Sequence, residues 1–87
     1  MENKLTINQF KDKLVELFVQ FKNKTNNNNL IKKLNYYIND IPYKAPEIFA
    51  EYYINLMDNL TENYLIIEKD TEWFINECNS LVKNTDW

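Results

Sequence analysis

Residues 6–24 read Thr-Ile-Asn-Gln-Phe-Lys-Asp-Lys-Leu-Val-Glu-Leu-Phe-Val-Gln-Phe-Lys-Asn-Lys. Ile7, Phe10, Leu14, Leu17, Phe18 and Phe21 recur at steps of three and four residues, the period of an α-helix. Thr6 followed by Gln9 is a capping-box pattern, which fixes the start. Val15 and Val19 widen the apolar arc to about half of the helical wheel. So wide an arc predicts a central helix over residues 7–24 that touches several others.

Working outward, Asn26 to Asn29 form a short low-complexity linker. Asparagine favours turns and caps, so a second helix is expected to start at Asn28 or Asn29. Leu30, Ile31, Leu34, Tyr37, Ile38 and Ile41 share one face of it, and Pro42 ends it near Ile41. Pro46 suits the first position of a third helix, lined by Phe49, Tyr52, Tyr53, Leu56, Met57 and Leu60. In the last third, Tyr64, Ile67, Thr71, Phe74, Cys78 and Leu81 fit one helical stripe. A helix over about residues 61–83 is expected there, with Asp70-Thr71 the place for an interruption. A lone strand at residues 64–67 has no partner to pair with. The expected fold is all-α: a compact bundle of four short helices, five if the last third breaks, in a single domain over residues 1–87.

The absence of glycine supports that class. Hairpin turns, P-loops and dinucleotide-binding turns rely on glycine to reach φ > 0. In a helical fold asparagine can take the left-handed helix-ending role, and Asn23, Asn39, Asn59 and Asn84 lie near expected helix ends.

The chain has no histidine, and all ten positive charges are lysine. No imidazole base or metal ligand is therefore available. Cys78 is the sole cysteine, on the apolar stripe of the last helix, which reads as a buried structural thiol in a reducing, cytoplasmic setting. The opening Met1-Glu2-Asn3-Lys4 lacks a leader's apolar segment, and no run is long enough to span a membrane. No catalytic constellation, metal site or cofactor motif is legible, so binding is expected rather than catalysis.

Charge carries the partner signal. Residues 1–44 hold eight lysines against four acids, net +4, whereas residues 45–87 hold two lysines against nine acids, net −7. Glu47, Glu51, Asp58 and Glu62 fall within about 60° on a helical wheel and would form an acidic line roughly 22 Å long. The plain reading is a solvated helix face. The functional reading is a surface that docks on a basic groove of a larger protein, where it competes with nucleic acid. Trp73, beside Glu72 and Glu77 and off the apolar stripe, is the candidate anchor, with Glu77 joining the binding set. Small size, acidity and a Lys-, Asn- and Ile-rich composition without arginine match inhibitors or adaptors of phages and mobile elements, anti-CRISPR-like proteins included. Such a protein would act in the cytoplasm of the producing or infected cell.

Two other classes compete. The wide apolar arc and exposed aromatics would also serve a toxin-immunity protein or a homodimeric scaffold. Lys11, Lys22, Lys32 and Lys33 with Tyr36 would track phosphates and stack a base in a nucleic-acid-binding protein. The absence of arginine and an isoelectric point near 4.9 weigh against the last.

Overall fold

In a computed structural model, which describes residues 4–87, the chain folds as α1 (Ile7–Lys24), α2 (Asn28–Asp40), α3 (Phe49–Leu60) and α4 (Glu72–Lys83). The reading of the chain's opening at Met1–Asn3 lies outside the described residues. Among the described residues there is no strand, only one parallel bridge between Leu5 and Thr85. No helix among them is long and apolar enough to cross a membrane.

The capping box forms as the sequence implies. The Gln9 amide donates to Thr6 Oγ1 at 3.1 Å, and the Thr6 amide donates to Gln9 Oε1 at 2.9 Å. Helix α2 starts at Asn28, and Asn27 caps it, its Oδ1 accepting from the Asn29 and Leu30 amides. Helix α2 closes in a 3-10 turn, Ile41–Tyr43, where proline has no amide to donate.

Helix α1 is central. Phe10, Leu14, Leu17, Phe18 and Phe21 are buried, each worth roughly 1.5–3 kcal/mol of transfer free energy. Phe10 meets Phe49 and Tyr53 of α3, and Phe18 meets Tyr37 of α2 and Phe74 of α4. Phe21 stacks obliquely on Phe74 at 4.5 Å, while Phe10 at the other end of α1 meets Trp87. Helices α1 and α4 therefore run antiparallel. Val15 is half-buried, but Val19, expected in the apolar arc, faces solvent.

Two expectations are corrected. Residues 61–65 do not begin the last helix; they extend α3 as one wide π turn, closed by the Ile66 amide on the Thr61 carbonyl at 3.3 Å. That turn carries Leu65 into the core and leaves Ile66 and Ile67 in solvent, so the stripe assumed to run unbroken from Tyr64 holds only from Phe74 onward. The chain then breaks at Asp70, whose φ of 58° is the sole positive value among the described residues. Among the described residues no asparagine takes the left-handed helix-ending role; Asn84, which closes α4, has φ −92°. Without glycine, α1 ends in extended Thr25, α2 in the proline turn and α3 in the π turn.

Candidate partner-binding surface

Helix α3 presents the surface. Pro46 opens a 3-10 turn, Pro46–Ile48, that leads into the helix. Burial of Phe49, Leu56 and Leu60 then turns Glu47, Glu51, Asp58 and Glu62 to solvent, as the periodicity requires. Glu51 and Asp58 stand two α-turns apart, about 10 Å along the axis. Glu47 and Glu62 sit in the 3-10 turn and the π turn, so the ends of the row depart from the straight line expected of a single helix. Among the described residues the one ion pair is Lys44–Asp40 at 3.7 Å, and none of the four acids of the row has a cationic partner.

The row is not purely acidic. Ile54 lies on the same face, three residues after Glu51 and four before Asp58, and is 59% exposed. It borders a shallow apolar notch of about 250 Å³, whose other walls are Ala50, Tyr53, Val82 and Trp87. Trp87 is 46% exposed. Its Nε1–H donates to the Val82 carbonyl at 2.9 Å, and its ring meets Phe10 edge-on. Tyr53 is half-buried, its ring edge-on to Phe10 with centroids 5.2 Å apart. Burial pushes the Cys78 thiol up to about 12, which makes it a poor nucleophile. Sequence reading missed the notch, and its one signal was an isoleucine standing among acids off the buried stripe.

The remaining residues singled out from sequence lie elsewhere. Trp73 is half-buried against Phe21 and Phe74, and Lys24 Nζ lies 4.2 Å above its ring. It lines a separate cavity with Lys24 and Glu68, so a lysine rather than an acid covers its face. Glu77 borders the groove between α1 and α4, beside Lys13 and Gln20. Neither shares a cavity with Glu47, Glu51 or Asp58.

The basic set also divides. Lys32, Lys33 and Tyr36 do line one open groove, with Asn63 and Tyr64 opposite, and Tyr36 is 57% exposed. Lys33 Nζ lies 5.2 Å from the rings of both Tyr36 and Tyr37. Lys22 is half-buried on α1 and is not part of that groove. Lys11 is only 7% exposed; its Nζ donates to the Pro42 carbonyl at 3.2 Å and to the Lys44 carbonyl. It ties α1 to the α2–α3 connection, and its ammonium is spent on backbone rather than offered to phosphate. No protein-family model matches the chain, and neither curated proteins nor solved structures give a significant match.

Proposed function

We propose that the protein is a non-catalytic binding module that docks the outer face of α3 on a basic surface of a larger protein. One observation carries this reading: exposed Glu51 and Asp58 share that face with exposed Ile54, exposed Glu47 and Glu62 stand at its two ends, and among the described residues no cation pairs with any of the four. Unneutralised charge is the pattern that steers association with an oppositely charged surface, and the apolar residue beside it supplies contact area. A basic groove in a protein is commonly one that holds nucleic acid. A row of carboxylates seated there competes with the polyanion, which makes the protein an inhibitor or adaptor of the small acidic kind carried by phages and mobile elements. We place its action in the cytoplasm, where Cys78 stays reduced.

Capture from lysate tests the reading. A protein recovered by the wild type, resistant to nuclease, is expected to be lost when Glu47→Lys, Glu51→Lys and Asp58→Lys are combined, with helicity unchanged. Equal recovery by the folded triple variant contradicts it.

The groove of Lys32, Lys33, Tyr36 and Tyr64 favours a second reading, contact with single-stranded nucleic acid. Its mark is oligonucleotide affinity that falls steeply with salt. No change in the anisotropy of a labelled oligonucleotide at low salt disposes of it.

A further inference from the structure

We infer that the partner offers an apolar side chain flanked by lysine or arginine, and that this side chain seats in the notch of Ala50, Tyr53, Ile54, Val82 and Trp87. The inference rests on the reading of α3 as the docking face and adds to it the anchor and the chemistry of the bound segment.

The notch suits an apolar group because it has no free hydrogen-bonding group to give. The Trp87 Nε1–H is taken by the Val82 carbonyl, and the surface that lines the notch is almost wholly apolar. A polar ligand entering here would lose its water without replacement. At about 250 Å³ the space falls below the roughly 300–1,000 Å³ of small-molecule sites and matches a protruding side chain.

Ile54 joins the notch to the acidic row. It forms one wall, and Glu51 and Asp58 stand one turn to either side of it on the same face. A side chain seated against Ile54 therefore brings the partner's neighbouring residues over those carboxylates, and charge complementarity selects basic ones there.

The same row opposes a second copy as occupant. Two-fold pairing through this face would set the carboxylates of one row against those of the other, and among the described residues no cation pairs with them.

The test uses the full chain carrying Trp73→Phe, which leaves Trp87 as the only indole. The probes are two synthetic helical peptides with identical lysines, one with leucines along a single face and the other with alanines in their place. The leucine peptide is expected to bind at least tenfold more tightly and to shift Trp87 emission to the blue. Ala50→Phe, which fills the notch, and Ile54→Ser, which makes its wall polar, are each expected to bring that ratio below about threefold with little effect on the alanine peptide. Equal affinities for the two peptides, or a preference that survives both variants, overturns the anchor. Combined Glu51→Lys and Asp58→Lys separates the two claims. If it leaves both affinities unchanged, the docking face itself falls. If it weakens both peptides while the wild type binds them equally, the face stands and the anchor falls. A concentration-dependent dimer in sedimentation that Ile54→Ser dissolves assigns the notch to a second copy and also overturns the proposal.

Discussion

Trp87 meets Phe10 edge-on, their ring centroids 4.9 Å apart and their planes at 68°. Phe10 is fully buried at the start of α1, whereas Trp87 keeps nearly half of its surface in solvent. One ring thus belongs to the core and the other stands at its rim, held by the Val82 carbonyl. The backbone supports the same junction: the Leu5 amide donates to the Asn84 carbonyl at 2.8 Å, and the Asp86 amide donates to the Leu5 carbonyl at 2.9 Å.

Trp87→Ala should therefore separate stability from binding. Loss of the aromatic pair, of the buried half of the indole and of its bond to the Val82 carbonyl costs about 2–4 kcal/mol, with Tm falling by roughly 4–8 °C for each kcal/mol. Affinity for the partner should fall more than tenfold, because the notch loses a wall. Thermal melts and titration of the captured partner check this; a large stability loss with unchanged affinity would assign Trp87 to the core alone.

Lys11 is expected to matter for folding and not for phosphate binding. Lys11→Ala leaves the Pro42 and Lys44 carbonyls without their donor and removes the ammonium that lies 5.7 Å from the Phe49 ring centroid. A loss of about 2 kcal/mol is expected in urea unfolding. Stability equal to the wild type would show that those carbonyls find water instead.

Asp70 carries backbone strain that glycine would relieve. Its φ of 58° lies in the left-handed region, which costs most L-residues roughly 1–2 kcal/mol and aspartate less. Asp70→Gly is expected to leave stability equal or raise it by under about 1 kcal/mol, while Asp70→Ile should lower it by about 1–2 kcal/mol. Similar melts for the two variants would contradict the assigned turn.

Alkali should destabilise the fold. Burial raises the Cys78 thiol from its ordinary 9.0 to about 12, against the lowering hydrogen bond from Tyr53, and burial also raises Tyr37, Tyr52 and Tyr53. Each group is thus held protonated in the folded state after it would ionise in the unfolded chain. Their contribution is complete below about pH 9 and is lost as pH climbs toward 12. The urea midpoint should be flat around neutrality and fall above about pH 9, less steeply in Cys78→Ala. A midpoint that holds steady to pH 11 would contradict the burial of these groups.

The legible parts of the fold were local. Helix α1 carries both a cap and a strong period, so the residues 7–24 inferred from spacing are the residues that form it. The acidic row was legible for the same reason, since Glu51 and Asp58 are fixed by helical geometry alone. The end of α3 was not, because a π turn leaves no mark in a pattern read at 3.6 residues per turn. Trp73 looked free beside its acidic neighbours, yet Lys24, distant in sequence, lies over its ring. The notch escaped because Ile54, Val82 and Trp87 meet only once α3 and the chain after α4 have packed on Phe10. Lys11 misled for a related reason: its charge is visible in sequence, but the carbonyls that take it are not.

The most direct measurement is photo-crosslinking of the captured partner from two positions. One chain carries a photoreactive residue in place of Ile54 on α3, and another carries it in place of Val19 on α1, where the side chain is also exposed. The account predicts a covalent adduct with the partner from position 54 and none from position 19. An adduct from position 19, with none from position 54, would contradict it.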